Sequence, residues 1–360
     1  MPTSLTAQAA PSQETQNRKK NFVIQYEVND ACNLRCSHCY HGLKVIKEGA
    51  IGLERLFEDL EALHAHLGED YQILIRLSGG EVFLRKDLQS MLTRILMQGY
   101  ATVMLTNGTL ITPENAQEVS VRNVQLVQIS LDGPNAEIHD TIRGKGMFAK
   151  AWQGIRRMQA EGQPVSVSYT LMQGHNDRKE NFEEFFALAQ KENLAKVNFS
   201  RIFPQGDAHH LPEYAYSEGM AFKTVLENLL DAAQQFPHVK IVIKDPLINN
   251  LERSFPENVK TDVCCYIRRD YLAVTANGDV FACRKLSKPI GSLLDDQLLN
   301  IWQNNSLLQQ MDQRRQYMSG KCKTCPINDQ CKGGCLAASY GQTGQLFVPD
   351  PACWREEVPV

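Results

Sequence analysis

Three cysteines within eight residues, Cys32-Asn-Leu-Arg-Cys36-Ser-His-Cys39, are the part of this chain best suited to chemistry. Thiolates are the usual protein ligands of a 4Fe–4S cluster, and a C-x3-C-x2-C run can wrap three of its corners. A fourth cysteine is missing locally. One iron would then stay open to a substrate or cofactor, much as a catalytic zinc keeps an open position. Zinc is the competing reading, with His38 and His41 as further ligands, although zinc sites favour cysteine pairs two to four residues apart.

The chain has eleven cysteines, and they are clustered: three at 32–39, three at 264–283 and five at 322–353. In a reducing compartment such clusters point to metal, since disulfide scaffolds are usually short and secreted. The N-terminus has no basic region followed by an apolar core, so the expected location is the cytoplasm. No run approaches the roughly 18 apolar residues of a membrane span. A formal net charge of −3 gives no reason to expect nucleic acid or membrane as a partner. Hydrophobic residues at 43% and charged residues at 22% suit a globular chain with a sizeable core.

The elements that must position these cysteines alternate. β-rich runs at 22–28, 73–77, 101–105, 126–131, 165–171 and 197–202 are separated by helical patterns at 53–66, 88–98, 149–161 and 182–192. Such alternation predicts an α/β fold, a parallel sheet with crossover helices that forms a barrel or an open version of one. Chemistry in these sheets gathers at the C-terminal ends of strands. Cys32, the run Gly79-Gly80-Glu81 and Thr106-Asn107 each follow directly on a strand, so they are expected on one rim. Residues 1–20 are polar and aperiodic and are expected to be a disordered tail. Residues 21–210 are the expected barrel, and 211–262 a linker with one helix and a short strand. Residues 263–360 are turn-rich, with a hairpin about Asn277-Gly278 and eight cysteines, and have too thin a core to fold well without metal.

Residues 26–40 (YEVNDACNLRCSHCY) resemble the signature of radical S-adenosylmethionine enzymes. The resemblance implies a partial (β/α)6 barrel in which Cys32, Cys36 and Cys39 hold a 4Fe–4S cluster. The open iron would be chelated by the methionyl amino and carboxylate groups of S-adenosylmethionine. Cleavage of the sulfonium would release methionine and a 5′-deoxyadenosyl radical that abstracts hydrogen from substrate. The position before the third cysteine is usually aromatic in this family. Here it is His38, whose planar ring can pack near the adenine in the same way. Ser78-Gly79-Gly80-Glu81 is similar to the family's GGE motif, which engages the methionyl amino group. Two glycines admit close backbone approach, and a carboxylate suits an ammonium. Ile129-Ser130-Leu131-Asp132-Gly133, followed by His139-Asp140 and Arg143-Gly144, resembles the family's fourth-strand segment. There Ser130 and Arg143 are expected to meet the cofactor's polar groups, Arg143 by bidentate pairing with a carboxylate. Asn107 either caps a turn or faces the cofactor.

Cys265-x12-Gly278-x4-Cys283 (x13 from Cys264), then Cys322-x2-Cys325-x5-Cys331-x3-Cys335 and finally Cys353, closely resemble the SPASM domain. That resemblance implies two auxiliary iron–sulfur clusters of the 4Fe–4S kind. Cys322, Cys325, Cys331 and Cys353 would hold the outer one. Cys283, Cys335 and one or both of Cys264 and Cys265 would hold the inner one. Neighbours on an extended chain point in different directions, so one of the adjacent pair is expected to ligate. The inner cluster would then have an open iron or a non-cysteine ligand.

An auxiliary cluster gives the second electron of an oxidation somewhere to go. SPASM enzymes act mostly on peptides and proteins. The resemblance therefore implies a maturase that crosslinks side chains of a ribosomally made precursor peptide at unactivated carbon, with flavodoxin or ferredoxin as reductant. Twenty polar N-terminal residues are not expected to form a leader-binding domain, so a separate leader-binding protein or the barrel would meet any leader. The alternatives are a small molecule of tetrapyrrole or sugar type and a sulfatase-maturase-like oxidation of protein. Phe203-Pro204-Gln205-Gly206, preceded by Arg201, lies where substrate would enter and is expected to be mainly structural.

Overall fold

The computed structural model of the chain describes residues 19–41, 51–262 and 269–356. Eight strands follow one another in parallel: β1 (Lys20–Glu27), β2 (Tyr71–Ser78), β3 (Ala101–Thr106), β4 (Val124–Ser130), β5 (Val165–Leu171), β6 (Lys196–Arg201), β7 (Ile241–Ile243) and β8 (Val259–Thr261). Between them in sequence lie α1 (Leu53–Leu67), α2 (Leu88–Met97), α3 (Pro113–Ser120), α4 (Ala136–Arg143), α5 (Met147–Ala160), α6 (Lys179–Lys191) and α7 (Gly219–Gln235). This is an α/β partial barrel, carried two short strands further than its six-strand core. Of the expected N-terminal tail, residues 1–18 lie outside the described residues, and Lys20 already begins β1.

Three more strands join the other edge of the sheet: β9 (Tyr271–Thr275), β10 (Asp279–Phe281) and β11 (Pro289–Ser292). β9 lies parallel to β1, in register from Val23↔Tyr271 to Glu27↔Thr275, and β10 and β11 follow antiparallel. The sheet thus runs unbroken in the order β11-β10-β9-β1-β2-β3-β4-β5-β6-β7-β8. The hairpin about Asn277-Gly278 is built onto the barrel's first strand. After β11 the described residues make only helices and turns, among them Ser306–Asp312, Asn328–Cys331 and Leu336–Thr343.

Side chains alternate across each strand, which gives the sheet two unlike faces. Ile73, Ile75 and Leu77 of β2, Val197 and Phe199 of β6, and Ile241 and Ile243 of β7 are buried in the main core beneath the helices. α1 answers with Leu53, Leu56, Leu60 and Leu63, spaced three and four apart on one stripe. Tyr169 of β5 and Phe199 stack with ring centroids 5.0 Å apart, and Phe185 and Phe186 of α6 pack edge-on at 5.1 and 5.8 Å. Each such pair contributes about 1 kcal/mol beyond its buried area. The residues between face the inside of the barrel, where polar side chains such as Arg76, Ser78, Gln128, Ser168 and Asn198 stand among apolar ones such as Leu74, Leu126 and Val242.

Two short helices were too brief for periodicity to reveal. α3 opens with a capping box, in which Asn115 N donates to Thr112 Oγ1 (3.2 Å) and Thr112 N to Asn115 Oδ1 (2.8 Å). α4 is capped by Asn135, whose Oδ1 accepts from Ile138 N (3.1 Å), and it ends at Gly144. Within α4, His139 and Arg143 are four residues apart and share one face.

Candidate active site

Cys32, Cys36 and Cys39 lie on the loop after β1, at the C-terminal rim, and none is in a disulfide. The turn after β2 carries this loop. Gly80 N donates to Asn29 O (3.0 Å), and Glu81 N to Ala31 O (2.7 Å). A Cβ at Gly79 would meet Asn29 O at 2.4 Å, and one at Gly80 would meet Ala31 O at 2.1 Å. The close approach these glycines permit is therefore first that of the cysteine loop's own backbone.

Glu81 is held by the ends of the strands themselves. Its carboxylate is 1% exposed and accepts from Thr106 Oγ1 (2.6 Å), Asn107 N (2.8 Å) and Phe83 N (3.2 Å). Burial raises its pKa, with those bonds acting in the opposite direction. A carboxylate so engaged clamps the ends of β2 and β3 together. Asn107 caps a turn and also reaches the cysteine loop. Its Oδ1 accepts from Thr109 N (2.9 Å) and caps a turn, while its Nδ2 donates to Asn33 Oδ1 (2.9 Å) and lies 3.9 Å from Cys32 Sγ.

Behind Cys36 stands a hub that sequence reasoning did not single out, Asp132. It is fully buried just past β4. Arg143 Nε donates to its Oδ2 (2.5 Å), His38 Nε2 lies 3.0 Å from the same oxygen, and Thr170 N donates to its Oδ1 (2.9 Å). Burial would raise the pKa of Asp132, yet Arg143 and His38 hold it far below the usual carboxylate range. Its main-chain N donates to His139 Nδ1 (3.1 Å). Burial and the Arg143 charge push His139 down to about 4, so the ring is neutral with its proton on Nε2. Arg143 is thereby aimed at the cysteine loop, with Nη1 3.9 Å from Cys36 Sγ and Nη2 3.4 Å from His38 Nε2. Ser130 ends β4 on the inner face, opposite Ser168 of β5. The signal for Asp132 was a charged residue closing an apolar strand, with His139 and Arg143 four apart beyond it.

None of the described cysteines of the C-terminal region is in a disulfide. They form two neighbourhoods. The thiols of Cys322, Cys325, Cys331 and Cys353 act on one another, and Cys335 acts on Cys283. Burial first, and these neighbours next, push Cys322 and Cys283 up to about 11 and Cys331 up to about 12. Cys36 is pushed up to about 11 mainly by burial. Crowded, buried thiols of this kind fit an iron–sulfur centre, whose positive iron draws off the protons and holds the sulfurs together. Cys264 and Cys265 lie outside the described residues.

The two cysteine regions are braced against each other. Arg201, at the end of β6 and 1% exposed, has Nε 2.8 Å from Asp245 Oδ2. Its Nη1 donates to Asp350 Oδ1 (3.0 Å) and its Nη2 to Asp350 Oδ2. Asp350 in turn accepts from Cys335 N (2.8 Å) and Ala352 N (3.0 Å). The segment after Arg201 is a strut: Asp207 N donates to Cys39 O (2.9 Å), Gln205 Nε2 to Ala337 O (3.2 Å), and Ser287 N to Gln205 Oε1 (2.9 Å). Arg284, next to Cys283, donates through Nε to Glu27 Oε1 (2.5 Å), and its Nη2 lies 3.2 Å from His41 Nδ1. A cleft of about 570 Å³ opens beside the strut, lined by Pro204, His209, Ser287, Tyr340 and Gly341 among others.

The model of the radical SAM superfamily matches residues 26–189, and that of SPASM, an iron–sulfur cluster-binding domain, matches residues 264–326. The chain is 26% identical over 344 residues to the AdoMet-dependent heme synthase of Nitratidesulfovibrio vulgaris, covering 92% of this chain and 91% of that protein. It is 26% identical over 336 residues to the mycofactocin maturase MftC of Mycolicibacterium smegmatis, covering 92% and 82%. The crystal structure of Streptococcus suis SuiB bound to precursor peptide SuiA has the same fold. Its TM-score is 0.70 at 14% identity, over 95% of this chain and 78% of that one.

Proposed function

This chain is a radical S-adenosylmethionine enzyme with a C-terminal SPASM domain, and from that premise we propose that it oxidatively modifies a ribosomally made peptide, joining side chains at unactivated carbon. Its cofactors are a 4Fe–4S cluster with S-adenosylmethionine in the barrel, and auxiliary iron–sulfur clusters in the SPASM domain. When bound, these supply a 5′-deoxyadenosyl radical that takes a hydrogen atom from carbon, and an acceptor for the second electron.

Cys32, Cys36 and Cys39 would hold the barrel cluster. Cys322, Cys325, Cys331 and Cys353 would hold the outer auxiliary cluster, and Cys283 and Cys335, with Cys264 or Cys265, the inner one. Arg143, Ser130, Asn107 and the main chain of Gly79-Gly80 offer polar groups to S-adenosylmethionine, and the ring of His38 offers a flat surface to its adenine. Asp132 and Glu81 act through them as positioning residues.

One observation carries the oxidative reading. The strut at 203–207 touches Cys39 on one side and, on the other, Ser287 shortly after Cys283 and Ala337 in the helix that Cys335 caps. A substrate lodged against it would lie beside both the radical and an electron acceptor. The cleft along the strut and the similarity to MftC support a peptide as substrate. The expected partners are then the precursor peptide, a separate leader-binding protein and flavodoxin or ferredoxin. A small molecule of tetrapyrrole or sugar type is the second reading. Equal identity to a heme synthase and the cationic side chains inside the barrel favour it.

The test is coexpression with a short peptide encoded beside the gene, followed by mass spectrometry. Loss of two hydrogen atoms from the peptide, abolished by replacing Cys32, is the expected result. An unmodified peptide alongside normal turnover of a carboxylated small molecule would replace the first reading with the second.

A further inference from the structure

We propose that the inside of the barrel binds carboxylates of the substrate through Arg76, Lys196, Lys244 and Lys285. Arg76 lies between Ile75 and Leu77, which are buried beneath the helices, so it faces inward. Lys196 opens β6 opposite Ser166 of β5, and Lys244 follows β7 directly. Lys285 stands two residues beyond Cys283, with Nζ 4.4 Å from the centroid of the Phe203 ring. All four are half-buried.

They arise from separate elements, yet they act on one another. Burial, then Arg76, and more weakly Lys285 and Lys196, push Lys244 down to about 8, against the opposing pull of Asp262. Burial and then Arg76 lower Lys196 as well. The barrel's other enclosed arginines are matched: Arg143 by Asp132, Arg201 by Asp245 and Asp350, Arg284 by Glu27. Arg76, Lys196 and Lys244 make no ion pair among the described residues.

Cations that outnumber the one carboxylate acting on Lys196 and Lys244, Asp262, weaken the fold, and such arrangements concentrate where a ligand completes them. Lysine and arginine are donors only, so the ligand must supply acceptors and negative charge. The four are spread over distinct elements, not gathered at a glycine-rich turn or helix N-terminus of the kind that wraps a phosphate. Several separated carboxylates match that spread. They can come from acidic residues of a peptide or from the acid side chains of a small molecule. The inference concerns charge, and so goes beyond either reading of the substrate.

The test is equilibrium binding to the anaerobically reconstituted holoenzyme with two charged probes. One is coproporphyrin III, a porphyrin polycarboxylate, set against its methyl ester; the other is a short glutamate-rich peptide, set against its glutamine counterpart. At least one charged probe should bind, with its neutral counterpart weaker by about tenfold or more. Arg76→Gln and Lys244→Met should each weaken that probe about tenfold and raise the melting temperature, because each relieves repulsion. Which charged probe binds identifies the source of the carboxylates. Equal binding of charged and neutral probes, or binding of none, would overturn the inference. So would variants that melt lower while binding as before, since these would mark the cations as structural.

Discussion

The barrel cysteines and the C-terminal cysteines are held in opposite ways. Around Cys32, Cys36 and Cys39 the positioning comes from strands and from two buried carboxylates. The loop rests on Gly79-Gly80 at the end of an eight-residue strand, and the side chains facing it hang from Asp132 and Glu81. From Ser319 to Glu356 the described residues contain no strand. One helix there, Asn328–Cys331, has four residues, and Cys331 and Cys335 are themselves part of the core. A single turn of helix does not persist by itself. In the barrel, then, the protein prepares a site for iron. In the C-terminal region the cysteines are themselves core residues carried on short helices and turns, and the Arg201–Asp350 pair ties them to the barrel.

The largest expected effect tests that asymmetry directly. Replacing Cys32, Cys36 and Cys39 together by Ala should abolish formation of 5′-deoxyadenosine and remove about four iron atoms per chain. The melting temperature should stay close to that of the parent. A collapse in stability would show that the barrel depends on its cluster after all. Next comes Arg201→Met, which strands Asp245 and Asp350 as buried charges. It should cost about 3–5 kcal/mol in chemical denaturation and release C-terminal iron, while the spectroscopic signal of the barrel cluster persists. Equal loss from both regions would erase the distinction. The smallest effect should follow Asp132→Asn, which loosens Arg143 and His38 without touching iron. Affinity for S-adenosylmethionine should fall about 10–100-fold at unchanged iron content, and a drop in iron would make Asp132 part of the cluster's scaffold.

Much of this arrangement was legible in the chain itself. Six strands and the rim they share could be read because alternation and three-four spacing report which face of an element is buried. The cysteine spacings were legible because ligand geometry constrains short loops. What could not be read is long-range pairing. Arg201 and Asp350 are 149 residues apart, and nothing in the periodicity of either segment names the other. Gly79-Gly80 could be recognised as a place of close approach, but not as one where the approaching backbone belongs to residues 29–31. Glu81 could be placed on the rim, but its clamp on Thr106 and Asn107 depends on a rotamer that the chain does not show. Short strands such as Val259–Thr261 are defined by the neighbour they pair with more than by their own composition.

The pairing of β9 along β1 has a further consequence. β1 is a central strand only because a segment from the C-terminal region lies against it, and Phe22, Ile24 and Tyr26 are almost wholly buried. A chain cut after residue 262 would turn β1 into an open edge rich in apolar residues, with unsatisfied main-chain groups along its length. Such edges recruit other strands and aggregate. The SPASM region therefore serves as an edge cover as well as a carrier of iron, and barrel and SPASM region are not interchangeable modules that could be shuffled or expressed apart.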